Sequence, residues 1–307
     1  RRGCGRGGRG ADGVASSAAC GMLPLEHRVR GVVARRRRLL GRAAAGLAAA
    51  GYGAGWAFRY LIPSVAALAM SGSTDQAANG LVELGGVRRT FRSLDEEQSL
   101  ARAWVSAAQG AVSEAITMLR AAAERCSGNG RFAAEVMCLQ TAVQFGDPTC
   151  APRLGELESL VEGPRVELAA RFAHAVRAGD AAELSSLSGD FEQIGDLVAA
   201  ADAMAHAALR HRSKDLRGSA LTCSTRAAAL AERCGGLSTP ALRQASESLP
   251  LTDREREVVM LLAAGKSNRE IAERLTLSVR TVESHIYRAM NKTGTGNREE
   301  LVKLLSH

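Results

Sequence analysis

The sequence predicts an all-α protein, an irregular α-solenoid of paired helices followed by a compact four-helix domain at the carboxy end. Three observations predict it. Aromatic residues make up only 4 % of the 307, Ala, Leu and Gly are abundant and Pro is limited to seven, a balance that favours helices packed through small side chains over β-sheet. From about residue 51 to 235, amphipathic segments of helical period are separated by Gly or Pro. After residue 250, two Ser/Thr-x-x-Glu boxes and well-placed glycines mark short helices in quick succession. An apolar content of 46 % supports packed cores, and the length gives room for two domains of about 150 residues each.

Residues 1–50 are dominated by Arg, Gly and Ala with almost no apolar period, and disorder is expected there. The net charge of +8 belongs to this segment. Eleven arginines stand against Asp12 and Glu26 in residues 1–42, a net of +9, whereas the remaining 265 residues carry 29 basic and 30 acidic groups. The basic pI therefore says nothing about the carboxy-terminal domain. Arg35 to Arg38 followed by Leu39 to Gly55 imitates a signal peptide, but it lies too far from the start and is mostly Ala and Gly. Arg59 and Pro63 interrupt it before about 20 strongly apolar residues accumulate, so no membrane segment is expected. Residue 1 is Arg, not Met, and the composition shifts near residue 50, which together suggest a fragment of a longer protein.

Residues 51–235 read as a helical-repeat region suited to sensing or interaction. Its amphipathic runs include Leu100 to Ala108, Val112 to Cys126, Phe132 to Phe145, Val166 to Ala178, Leu197 to Arg210 and Ala220 to Cys234. Gly110, Gly146, Gly179 and Gly218 read as turn glycines, with separations of 36, 33 and 39 that bracket the roughly 34-residue period of tetratricopeptide-like helix pairs. Stacked pairs bury their apolar faces on one another and leave a concave surface for a partner. Residues 236–249, with Pro240 and several Ser and Thr, read as a linker. The seven cysteines show no CxxC pair and no histidine at ligand spacing, and they read as reduced, buried thiols of a cytosolic protein.

Residues 250–307 form the last domain. Thr252 with Glu255 and Ser267 with Glu270 are capping boxes, Ser278 is a third N-cap, and Gly265 and Gly294 suit the left-handed position after a helix. These signals fix a helix, a tight turn, and a second and third helix. In the third, Val282, Ile286, Ala289 and Met290 form an inward stripe that can pack on Val258, Leu261, Leu262, Ile271 and Leu275. Arg280, Ser284, Tyr287, Arg288 and Asn291 form the opposite stripe, which offers donors to phosphates and base edges and is slim enough for a major groove of about 12 Å. That is the layout of a helix-turn-helix, whose second motif helix reads bases.

The same residues resemble the LuxR/NarL-type DNA-binding domain. The resemblance covers 250–305 through Leu-Thr-x-Arg-Glu-x-Glu-Val, Gly-x-Ser-Asn-x-Glu-Ile-Ala, and Leu-Ser-x-x-Thr-Val-x-x-His with a following Lys and Arg298-Glu-x-Leu-Val. It implies a sequence-specific regulator that binds double-stranded DNA with helix 278–292 in the major groove. Glu283, Ser284, Tyr287 and Arg288 would face base edges or adjacent phosphates, and Ser267, Asn268, Arg280, Thr281 and Lys292 would position the backbone. Leu301, Val302 and Leu305 of the last helix would support a homodimer on paired half-sites, with RNA polymerase as a further partner. Thr293 and Thr295 depart from the family's apolar residues, and Glu283 stands where a cation is usual, which favours a cytosine N4 donor. Joined to a helical-repeat region, the domain resembles the carboxy-terminal part of the large ATP-dependent LuxR-type regulators. ATP would enter only through an NTPase domain outside these residues, and no cofactor is expected in this chain.

Gly265-Lys266-Ser267 imitates a phosphate-binding loop but lacks the earlier glycine, since position 260 is Met. GxSxG, HExxH and zinc-finger spacings are absent from the sequence, so no enzyme is expected. His285 reads as a partly buried packing residue. Two alternatives stay open at this level. One is a helical-repeat interaction scaffold with a degenerate helix-turn-helix, and the other a sigma-factor-like domain, which would need a promoter-melting region upstream.

Overall fold

The computed structural model describes residues 56–86, 94–246, 251–293 and 295–303, with Arg42, Ala43 and Gly46. The disorder expected for residues 1–50, and the turn role given to Gly294, therefore fall almost entirely outside the described residues. Among the described residues the chain is helical without a strand. None of these helices is long and apolar enough to cross a membrane.

The first module runs α1 (Trp56–Met70), α2 (Thr74–Gly86), α3 (Asp95–Ala108), α4 (Val112–Gly128), α5 (Phe132–Gln144), a 3-10 turn (Pro148–Cys150), α6 (Ala151–Leu157), α7 (Pro164–Ala178), α8 (Ala181–Gln193), α9 (Leu197–Ser213), α10 (Arg217–Arg233) and α11 (Pro240–Ser246). Helices pack chiefly on sequence neighbours, α3 on α4, α4 on α5, α8 on α9 and α9 on α10. Alanine makes the close approach feasible. In α9, Ala199, Ala200, Ala201, Ala203, Ala205, Ala207 and Ala208 are buried, so α5, α8, α10 and α11 all reach the same helix. Larger side chains fill the gaps in edge-on pairs, Trp104 with Phe145 at 4.7 Å and Phe172 with Phe191 at 5.7 Å.

Three of the four expected turn glycines occupy left-handed backbone, Gly110 at φ +90°, Gly146 at +99° and Gly179 at +67°. Gly218 does not. It is the second residue of α10, and the left-handed turn before that helix falls on Asp215 at φ +56°. An Asp tolerates this conformation, so the break carries no glycine for a sequence reading to find.

The expected linker also needs correction. Within 236–249, Pro240–Ser246 forms α11, and Thr239, Ala241 and Ala245 are buried. Thr239 Oγ1 accepts from Leu242 N at 3.2 Å as an N-cap, and Pro240 occupies the first helical position, where its missing N–H costs nothing. This helix ties distant parts together. Ser238 N donates to Met70 O at 2.8 Å, Arg243 Nη2 donates to Ala107 O at 2.8 Å, and Thr239 hydrogen-bonds buried Asp202. The first and last helical pairs are thereby joined, a closure that an open stack of nearest-neighbour repeats would lack.

Several buried polar groups are paired in networks. Asp196 caps α9 at Ala199 N and accepts from Gln140 Nε2 at 3.0 Å and from Arg165. Asp202 accepts from Gln144 Nε2 at 2.9 Å, and His206 Nε2 meets the Gln144 carbonyl at 3.0 Å. Cys126, Cys138, Cys150, Cys223 and Cys234 are buried free thiols. Burial pushes the Cys234 thiol up to about 11.

The second module comprises α12 (Asp253–Ala263), α13 (Asn268–Leu275), α14 (Val279–Thr293) and α15 (Arg298–Lys303) around its own apolar cluster.

Candidate nucleic-acid interface

Local hydrogen bonds fix the three helices that present the surface. At the start of α12, Glu255 N donates to Thr252 Oγ1 at 3.3 Å while Thr252 N donates to Glu255 Oε2 at 2.9 Å. The same reciprocal pair joins Ser267 and Glu270 at the start of α13. Gly265 takes φ +76° between them. The α13–α14 turn places Thr276 in left-handed backbone at φ +55°, and Ser278 Oγ then accepts from Thr281 N at 3.1 Å to open α14.

The two faces of α14 separate as the residue spacing requires. Val282, Ile286 and Ala289 are buried and Met290 is half-buried against a cluster that includes Val258, Leu261, Leu262, Ile271 and Leu275. On the other side Arg280, Glu283, Arg288 and Asn291 are exposed, and Tyr287 is 65 % exposed. Thr281 and Ser284 are half-buried beside them. Neither Arg280 nor Arg288 makes an ion pair among the described residues, so both guanidiniums can meet an external anion. His285 is half-buried, and burial together with the Arg254 and Arg288 charges lowers its pKa.

Several expected contact residues carry internal duties. Ser267 is the N-cap of α13, and Asn268 Oδ1 accepts from Arg298 Nη2 at 2.8 Å, which pins α15 to the motif. Lys292 Nζ pairs with Glu255 Oε2 at 2.7 Å. Burial works to raise the Glu255 carboxyl, but Lys292 and the capping bonds from Thr252 outweigh it and hold it below the ordinary carboxylate range. Leu301 is fully buried in the domain's own core, so it is unavailable for the dimer contact expected of it, and Leu305 lies outside the described residues.

The surface that sequence reasoning missed is the one by which the domain docks on the first module. Helix α4 begins at Ala111, which offers no side-chain cap, so its first N–H groups need outside partners. Glu257 of α12 supplies one. Its Oε1 accepts from Ser113 N at 2.7 Å and from Ser113 Oγ at 2.9 Å, while its Oε2 accepts from Arg254 Nη1 at 2.6 Å. Arg254 reaches Ser113 Oγ at 2.7 Å and the Leu275 carbonyl at 2.7 Å. Arg274 Nε pairs with Glu114 at 2.6 Å and its Nη2 donates to Gln109 Oε1 at 2.7 Å. Ala111 enters the second module's core, and a Cβ added at Gly110 would stand 2.7 Å from Met260 Cβ. Among these residues, the Arg254–Glu257 pair at i, i+3 was the readable hint of a polar contact.

Residues 249–305 match the family model described as bacterial regulatory proteins, luxR family. The carboxy-terminal domain belongs to the LuxR family. Over 53 residues the chain is 49 % identical to the tetrathionate response regulatory protein TtrR of Salmonella typhimurium, covering 17 % of this chain and 26 % of that protein. It is 47 % identical over 53 residues to the oxygen regulatory protein NreC of Staphylococcus aureus, covering 17 % and 24 %. The chain thus spans about a quarter of the length of these curated relatives. No solved structure matches the chain.

Proposed function

We propose that the protein is a transcription regulator that binds double-stranded DNA through its LuxR-type domain, with α14 in the major groove and the helical module controlling that domain. The observation that carries this reading is the division of α14 into a buried apolar stripe and an exposed face of Arg280, Tyr287, Arg288 and Asn291. In this reading Arg280 and Arg288 supply the charge for phosphates, Tyr287, Ser284 and Glu283 face base edges or adjacent phosphates, and the helix starts capped by Ser267 and Ser278 face the backbone. Control through the repeats is supported by the docking surface, which leaves this face exposed and holds the domain at Arg254, Glu257 and Arg274. TtrR and NreC, to which the chain is similar over 53 residues, have names that describe regulatory proteins. In this reading the chain performs no catalysis, needs no cofactor of its own, and acts on paired half-sites as a dimer with RNA polymerase as the downstream partner.

The test is a fluorescence-anisotropy titration of the full chain with duplex DNA from selected binding sites, at several salt concentrations. Affinity should fall steeply with salt, and Arg280→Ala and Arg288→Ala should each reduce the slope of log K against log salt by about 0.9 if each meets one phosphate. Absence of binding at low salt, or binding indifferent to both substitutions, would refute the reading.

A further inference from the structure

A cavity of about 360 Å3 lies where the helical module meets the LuxR-type domain, walled by the start of α4, α9, α11 and α12. Its volume falls in the range of small-molecule sites, roughly 300–1,000 Å3. Ile116, Phe145 and Leu209 from one side and Met260 from the other give it apolar surface. Four guanidiniums also line it, Arg210, Arg243, Arg254 and Arg256, against the carboxylates of Asp253 and Glu257. Both carboxylates are engaged, Glu257 by Ser113 and Arg254, and Asp253 by Gln244.

Two of the cations are hydrogen-bonded only to backbone. Arg243 donates to the Ser238 and Ala107 carbonyls, each at 2.8 Å, and Arg210 reaches the Val176 carbonyl at 3.3 Å. Neither makes an ion pair among the described residues. Arg243 is half-buried, and removal from water pushes its guanidinium down to about 10, so it stays charged at neutral pH. His206, on the same wall, is held neutral by burial and adds no cation. Buried Asp202 acts on Arg243 from nearby without forming an ion pair with it, so part of the cost of keeping this charge out of water is left, and an anion seated here would offset it.

We infer that this cavity binds a small amphipathic organic anion, its carboxylate or equivalent held by Arg243 and Arg210 and its apolar body against Phe145, Leu209 and Met260. Because one wall is the helical module and the other is α12, the occupant binds the docked arrangement and not the separated one. Mass action then converts ligand concentration into docking strength. The regulatory consequence rests on the proposed function; the site itself does not.

The experiment is isothermal titration of the full chain with 2-naphthoate and with its neutral counterpart 2-naphthamide. Naphthoate should bind saturably at one site per chain, and naphthamide at least tenfold more weakly. Arg243→Gln and Arg210→Gln should each weaken naphthoate at least fivefold and leave naphthamide unchanged, with circular dichroism confirming the fold. Should Arg243→Gln fail to fold, Arg210→Gln decides, since that guanidinium holds only one long carbonyl contact. No saturable naphthoate binding, equal affinity for the amide, or indifference to the arginine substitutions would overturn the inference. DNA titration of the same preparation separates the two readings. A chain that binds DNA but not naphthoate loses the site, and one that binds naphthoate but not DNA loses the regulator.

Discussion

Replacing Glu257 by Ala removes the carboxylate that caps α4 from across the interface. The side chain is 6 % exposed and accepts three hydrogen bonds of 2.6, 2.7 and 2.9 Å. Bonds to a charged group contribute about 1.5–3 kcal/mol each. The loss is smaller than their sum, because Arg254 is 30 % exposed and keeps the Leu275 carbonyl and Ser113 Oγ, so its charge is partly solvated and partly bonded. A cost of about 2–4 kcal/mol to the docked arrangement follows, or a fall of about 30- to 1,000-fold in the docking constant. Native-state hydrogen exchange reads it directly. The Ser113 amide should exchange faster by that factor in the Glu257→Ala chain, while the amides of Val258 and Ile286 keep their protection, since the cluster around them makes no use of this carboxylate. Unchanged Ser113 exchange would refute the capping role. Equal acceleration at all three positions would assign Glu257 to the fold of the domain instead of its docking.

Other outcomes follow from the same physics. Ile271→Ala opens a hole in the fully buried contact between α13 and α14 and should cost about 2–5 kcal/mol, read as an early denaturation midpoint. Ser267→Ala removes the N-cap of α13 and should cost about 0.5–2 kcal/mol, with a matching drop in thermal stability. Arg165→Ala leaves buried Asp196 without its guanidinium, and on the order of 3 kcal/mol should be lost in urea unfolding. Asp202 is raised by burial to about 7, so the folded chain takes up a proton there that the unfolded chain, titrating near 4, does not. Its contribution is present in full below pH 4 and disappears as pH rises through 7. Asp202→Asn should therefore remove a decline on the order of 3 kcal/mol between pH 4 and 7, seen as the difference between the two chains' stability profiles. His206, lowered to about 4 by burial, acts in the opposite direction, losing its contribution as pH falls from 6.5 through 4.

What could be read without coordinates was what local chemistry determines. The capping boxes at Thr252 and Ser267, the Ser278 cap and the stripe of Val282, Ile286 and Ala289 all depend on residues within a few positions of one another. The misread stretches failed for equally physical reasons. Thr239-Pro240 has the composition of a turn, yet a Thr N-cap followed by Pro is also how a helix begins, and only burial by α9 decides between them. Gly218 has the look of a turn glycine, but Asp215 performs that task. Leu301 looked like a dimer contact because an apolar residue on a short terminal helix gives no sign of whether it faces its own core or another chain. Glu257, Arg254 and Arg274 were invisible as a group, since their partners Ser113 and Glu114 lie more than a hundred positions away.

Sharing one helix end between two modules bears on how this gene can be dissected. Scissors placed near residue 248 would leave α4 with an orphan N–H at Ser113, an apolar Ala111 facing water, and Met260 stripped of the backbone that covers it. A clone beginning at residue 250 would inherit the matching scar, with Arg274 facing no carboxylate and Glu257 no amide. Each half would be stickier than the whole, and a fragment's self-association in the test tube would report the wound and not the oligomer that the intact polypeptide forms.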